Sequence, residues 1–425
     1  MRLIGWFKIS LFRMRIFDKL KITFRIFLLI SGGLLVLSLF INLNSPRYIF
    51  PKPAPFSGKS FYNPYQDMDS SRWLKGNFQV QSRVWLGLTS GRNNSSDDVR
   101  SIYRQLGYDV LCFSDYQQIN HTDDTASSYI PAYEHGYGPH KRHQIGIGSR
   151  KVLWLDYLLW QNLGNKQHII NRLRPDNDLI AIAHPNLKGG YAPSDFRYLT
   201  GYDLIEALNH IATSVPHWDS ALSAGKPAFI LADDDAHDIK NPHFVGRFCT
   251  FIKAPSAKQP DVVQALKAGK AFGAMIYMKE EDGFPEKIDY AAKMPVLKSA
   301  QMAGDTFTVE VSEAAKEISF IGQGGTIKRT ATVVNKASYV FKPEDTYIRA
   351  EILFPNIWNG SGTHYYLNPV FRYSGGILPK NPLAFVDKTG TLINRVVAYA
   401  TLIFFILVTY LLRKKLFYFR RKIQL

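Results

Sequence analysis

Cysteine is nearly absent. The 425 residues hold two, Cys112 and Cys249. Two thiols exclude a disulfide framework and a cysteine-based zinc site. Both lie in apolar, strand-like runs and read as buried thiols, although an oxidising compartment would permit one disulfide between them. Acidic residues are also scarce: 35 Asp and Glu face 52 Lys and Arg, a net charge of +17. The distribution of that excess argues against nucleic acid as the partner. Seven basic residues against one acidic, Asp18, lie in residues 1–25, and six more basic residues follow Leu412. The long middle is near balance and has no dense basic patch interleaved with aromatics, so nucleic-acid binding is not expected. Internal repeats and low-complexity tracts are missing as well.

Long uncharged runs occur in two places. Ile26–Leu43 has 18 residues without charge and Val396–Leu412 has 17. Each is near the lower limit for crossing a bilayer. Both carry their basic excess on the terminal side, which by the positive-inside rule puts both termini in the cytoplasm. The expectation is one transmembrane helix at each end, 26–43 and 396–412, in a bacterial inner membrane. The basic segment 1–25 would lie at the inner leaflet and the basic tail 413–425 in the cytoplasm, with the main domain periplasmic or extracellular. Single spanning helices could also pair with another membrane protein.

Between these ends, residues 44–80 are rich in proline and aromatics and read as a linker. Residues 81–280 alternate short apolar runs with helical stretches at Ser96–Leu106, Val152–Leu163 and Pro260–Ala268, the pattern of an α/β domain with a mostly parallel sheet. From about Pro295 the character changes to short strands separated by Gly, Asn and Pro turns. That predicts a small antiparallel β-sandwich over 295–375, joined by a linker at 376–395 to the second membrane segment.

The chemistry gathers where the apolar runs stop. Phe229–Ala232 ends in Asp233, Asp234, Asp235, Ala236 and His237. Leu179–Ala183 ends in His184. Val110–Phe113 ends in Ser114, Asp115 and Tyr116, and Tyr129–Tyr133 ends in Glu134 and His135. Residues Asp235 and His237, two apart on an extended backbone, project to the same side. Carboxylates and imidazoles collected at the ends of several strands form the usual active-site layout of a β/α barrel and can share a metal ion.

These pieces, in this order, resemble the PHP superfamily, named for polymerases and histidinol phosphatases, and more narrowly its carbaryl-hydrolase-like branch. The resemblance covers roughly residues 81–275. It rests on Val-Leu-Cys-Phe-Ser-Asp-Tyr (110–116), Ile-Pro-Ala-Tyr-Glu-His-Gly (130–136), His143, Ala-Ile-Ala-His-Pro-Asn (181–186), Tyr-Asp-Leu-Ile-Glu-Ala-Leu-Asn (202–209) and Asp-Asp-Asp-Ala-His (233–237). It implies a distorted (β/α)7 barrel with a cluster of up to three metals that hydrolyses phosphoesters or related bonds. The family's first motif, His-x-His-Thr, aligns here with Leu86-Gly87-Leu88-Thr89. Its second, Thr-Asp-His, aligns with Ser114-Asp115-Tyr116. Both first-motif histidines and one more are therefore replaced, and Leu86 and Leu88 would present apolar surface to the cavity. The residues that match imply metal ligation by Glu134, His143, His184, Asp235 and His237, with Glu134, His143 and His184 completing one site. Asp97 is a looser match beside His237. Asp235, His237 and Asp115 are the candidates for proton transfer or support.

Two functions follow. One is a membrane-anchored metallohydrolase with a reduced site, holding one zinc or manganese and acting on a small phosphoester or envelope-derived substrate. The other is a pseudoenzyme whose barrel serves as a binding or scaffold subunit of the cell envelope.

Overall fold

The structure is a computed structural model. It describes residues 30–66, 72–376 and 382–423, with residues 20, 23, 24, 27, 28, 68 and 378 besides; side chains are described as far as Leu411. Most of the expected basic segment 1–25, and the side chains of the basic tail 413–425, lie outside the described residues. The chain divides into two compact units. One comprises Met1–Ile49, Tyr157–Asn165 and Val386–Leu425, the other Phe50–Asp156 and Lys166–Phe385.

In the first unit, α1 (Ile30–Leu43) packs Phe40 edge-on against Tyr399, with ring centroids 5.2 Å apart. Among the described residues one helix is long and apolar enough to cross a membrane: the stretch Lys388–Leu411, 24 residues and 11% buried. At 1.5 Å per residue it reaches about 36 Å, more than the roughly 30 Å hydrocarbon core. The expected helix at each end is thus seen at one end. The described helix Ile30–Leu43 reaches only about 21 Å, because Ile26 and Leu29 of the apolar run lie outside the described residues.

After a short strand at Ser60–Tyr62, the second unit has seven strands in succession: β1 (Leu74–Asn77), β2 (Val110–Leu111), β3 (Ala132–His135), β4 (Gln144–Ile147), β5 (Leu179–Ile182), β6 (Leu204–Asn209) and β7 (Phe229–Asp233). Strands β3 to β7 form a curled sheet, antiparallel at β3–β4–β5 and parallel at β5–β6–β7. The parallel strands are buried throughout, which is why they read as unbroken apolar runs. The curled sheet is not a closed ladder. Two isolated parallel bridges, Tyr116↔Glu134 and Val80↔Ala236, are what link its ends to β2 and β1.

Helix α2 (Ser96–Gln105) is started by Ser95, whose hydroxyl accepts from the Asp98 N–H at 3.1 Å. It buries Val99 and Tyr103. The helix expected at Val152–Leu163 does not form. Its backbone is drawn to β3 instead: Leu153 N–H donates to the Tyr133 hydroxyl at 3.0 Å and Leu155 C=O meets His135 Nε2 at 2.9 Å. The neighbouring helix is α3 (Leu163–Leu173), followed by α4 (Val215–Ser223) and α5 (Gln259–Lys267).

The C-terminal strands correct the expectation of a separate sandwich. Strands β8 (Phe248–Ile252) and β9 (Ala271–Met275) pair with each other, and β8 also pairs with β1. The free edge of β9 takes β14 (Ser361–Leu367) in the register Phe272↔Leu367, and β13 (Tyr347–Trp358), β11 (Thr306–Gly322) and β10 (Leu297–Ala303) continue the same sheet. Strand β12 (Thr326–Val340) pairs with β11. One apolar core therefore runs from Val99 and Tyr103 of α2 through Phe272 to Phe307, Phe320 and Tyr365.

A buried ion pair ties β13 to helix α4. Arg349 on β13 grips Asp219 on α4 with Nε at 2.7 Å and Nη2 at 2.9 Å, under the ring of Trp218, and also reaches Glu351. A second buried cation, Lys287 on α6 (Phe284–Ala292), donates to the carbonyls of Pro242 and Val245. Burial pushes its pKa down to about 7, with Asp234 the chief opposing influence. Its folded pKa lies below its unfolded value of 10.5. The lysine therefore costs stability below about pH 7, and that cost fades as pH rises toward the unfolded value. Lys287→Met is expected to flatten the rise of unfolding free energy with pH by about 1 kcal/mol per unit between pH 7 and 10. Urea midpoints measured against pH check this; an unchanged slope would contradict it.

Candidate metal centre

Three side chains meet inside the curled sheet. Glu134 comes from β3, His143 from the residue before β4, and His184 from just beyond β5. All three are buried, and one ligand atom of each lies within 4.8 Å of the others. Glu134 Oε1 is in close contact with His143 Nδ1 and lies 3.2 Å from His184 Nε2. Asp235, following β7, brings Oδ2 to 4.0 Å from His184 Nε2. The backbone is bent to achieve this: His184 (φ 25°) and Asp235 (φ 49°) both sit in the left-handed region that non-glycine residues rarely adopt. Strain of this kind concentrates at working sites.

The charges follow from the packing. Burial pushes the Glu134 carboxyl up, but the imidazoles of His143 and His184 outweigh burial and hold it well below the usual carboxylate range. Burial lowers His143, opposed by Glu134 without being reversed. His184 ends above the ordinary histidine value, since Glu134 and Asp235 outweigh its burial. Behind them, Glu206 and Asp233 are raised well above the carboxylate range, by burial first and then by neighbouring carboxylates. Glu206 Oε2 accepts from the His184 N–H at 2.6 Å and so fixes the turn that aims His184.

The donor set fits a divalent ion. Two imidazole nitrogens and one carboxylate oxygen, with a position left open, are the shell of a catalytic zinc site. Two further polar atoms, His184 Nδ1 and Asp235 Oδ1, are buried without a hydrogen-bond partner among the described residues.

The structure moves the replaced first motif. Leu86 is 95% exposed and Leu88 87% exposed, so neither faces the cavity. The chain there turns outward through Trp85 and Leu86, both at positive φ. Facing the centre instead are residues just beyond β1, in Phe78-Gln79-Val80-Gln81-Ser82. Gln81 Nε2 donates to Glu134 Oε2 at 2.6 Å and to Ser114 C=O at 2.7 Å. Val80 packs into the core. Gln79 is fully buried and neither its Oε1 nor its Nε2 has a partner among the described residues.

The remaining candidates are placed as follows. Asp115 accepts from Ser82 N at 2.6 Å, Ser82 Oγ at 2.7 Å and Asn120 Nδ2 at 3.0 Å, so its carboxylate is engaged with the loop and not with the three ligands. His237 lies at the mouth, with Nδ1 2.7 Å from the carbonyl of Asp235 and Nε2 3.4 Å from the Tyr116 hydroxyl. Asp97 points to solvent, paired with Arg100 at 3.0 Å, and is no part of the centre. His135 is spent on Gln144 and Leu155.

No family model and no curated protein matches the chain. Among solved structures it is similar to a two-domain protein from Bacteroides vulgatus described as containing a predicted PHP-like metal-dependent phosphoesterase. The identity is 13% and the TM-score 0.37, over 75% of this chain and 99% of that one. The likeness does not reach the narrower carbaryl-hydrolase-like branch, and at that score it carries no argument about what this chain does.

Proposed function

We propose that the chain is a membrane-anchored, PHP-like hydrolase of phosphoesters or related esters, working with one divalent ion, zinc or manganese. The observation that carries this reading is the buried Glu134–His143–His184 group, three ligand atoms within 4.8 Å of one another. A site without a role has no reason to bury such groups. An ion held there would supply Lewis acidity and a lowered pKa for a bound water. The chain's own part is proton handling and orientation. The Asp235 carbonyl can only accept, so His237 carries its proton on Nδ1 and leaves Nε2 free to take one. His237 is thus the candidate base, with Tyr116 beside it as a proton carrier. Asp115 positions the Ser82 loop, and Asp235 is the nearest further ligand. In this reading both ends of the chain anchor it, the first through the full run 26–43, with the catalytic unit outside the cytoplasm.

The test is a screen of phosphomonoesters, phosphodiesters and carboxyl esters with the full chain, after metal removal and after addition of zinc or manganese. Metal-dependent turnover is expected, and Tyr116→Phe should lower it about 10- to 100-fold without loss of metal. The second reading, a scaffold, is favoured by Gln81, a poor metal ligand that occupies Glu134 Oε2. Turnover absent under every metal would select it.

A further inference from the structure

Beside the centre a cavity of about 390 Å3 reaches His143 and is walled by Trp85, Tyr116, Tyr137, Lys141 and Trp154. Trp85 and Trp154 meet edge to face, with centroids 5.8 Å apart. The Trp85 indole and the Tyr137 hydroxyl are already committed: Trp85 Nε1 donates to the Tyr116 carbonyl at 2.7 Å, and the Tyr137 hydroxyl donates to the Trp154 backbone carbonyl at 2.9 Å. What this wall offers is ring surface. The same turn that supplies Trp85 holds Leu86 and Leu88 out almost fully exposed, through two successive non-glycine residues at positive φ. Among the described residues no packing covers them. Cations border the patch: the Arg83 guanidinium lies beside Gly87 on this turn, and Lys141 Nζ stands 5.4 Å from the Tyr116 ring centroid. Tryptophan and leucine rimmed by Arg and Lys are the composition of a protein surface that sits in the headgroup region of an anionic bilayer. The same chain carries a helix long and apolar enough to cross one.

The geometry points to a bilayer-contacting mouth, through which the centre receives an ester carried on a lipid. The substrate part of this inference rests on the hydrolase reading; the surface does not. The headgroup ester would reach His143 past the Trp85–Trp154 wall while the lipid chain stays in the membrane beneath Leu86 and Leu88.

The test uses the full chain in vesicles of phosphatidylcholine and phosphatidylglycerol. A fluorophore is placed at Leu88→Cys and, as control, at the exposed Lys316→Cys; the native Cys112 and Cys249 are buried. Nitroxide-bearing lipids should quench position 88 several-fold more than position 316. Equal quenching, or preferential quenching of position 88 by aqueous iodide, would overturn the proposal, whether that surface is then bare or covered by a protein. This readout needs neither metal nor turnover, so its failure is distinct from failure of the hydrolase reading. Where turnover is found, the double variant Leu86→Ser/Leu88→Ser should lose several-fold on a long-chain phosphodiester and nothing on its short-chain soluble counterpart. Equal loss on both would overturn the lipid assignment.

Discussion

In His184→Ala, zinc is expected no longer to stabilise the protein. A ligand that binds only the folded state adds RT ln(1 + [L]/Kd), about 4 kcal/mol at a thousandfold excess over Kd. The wild-type chain should therefore gain several degrees of melting temperature with saturating zinc, and the variant almost none. The reason is local. Removing His184 leaves Glu134 and His143 as the two remaining members of the group, and two ligands do not make a closed catalytic shell. The metal-free variant should also be weaker than the metal-free wild type by about 1–3 kcal/mol, because the buried Glu134 carboxylate loses a partner at 3.2 Å. A scaffold that never bound metal would show the second effect without the first, so calorimetry with and without zinc separates the two readings.

The second large effect is far from the centre. Arg349→Ala should cost about 3–5 kcal/mol, read as a fall in the urea midpoint. The side chain of Arg349 is 2% exposed and that of Asp219 is 9%. Truncating the arginine strands the Asp219 carboxylate, which now receives two guanidinium bonds, and removes one partner of Glu351. Arg349→Lys should fall between, since a point charge replaces a two-pronged donor. A loss under about 1 kcal/mol for Arg349→Ala would mean that water reaches Asp219 and that the junction of α4 with β13 is looser than described.

Glu134 and His184 were legible because each stands at the end of a largely apolar run, whereas His143, which follows Lys141 and Arg142, was legible only through the order of the motifs. Burial on both faces writes a strand such as Leu179–Ile182 as a hydrophobic block, and a histidine at its end stands out. The amides were not legible for the opposite reason. Strand β1 reads Leu-Lys-Gly-Asn, too polar and too short to announce itself, and Gln79 and Gln81 carry no charge to mark a site. The spacing of Leu86-Gly87-Leu88-Thr89 imitated the missing motif, but spacing says nothing about which way a turn faces. The sandwich failed on another point. Residues 312–317 look like a break between two short strands, yet β11 runs for 17 residues through them and absorbs the irregularity as a register shift between Glu310 and Ala315. Where the antiparallel strands dock was set by the free edge of β9, a tertiary fact that local patterning does not contain.

The measurement that bears most directly on the central claim is the metal content of the full chain by elemental mass spectrometry, after exposure to zinc or manganese and removal of loosely bound ions. With Gln81 bound to Glu134 Oε2 and Asp97 turned to solvent, one divalent ion per chain is expected, lost in Glu134→Gln. Two or three ions per chain would contradict the reduced centre. None would contradict the centre altogether.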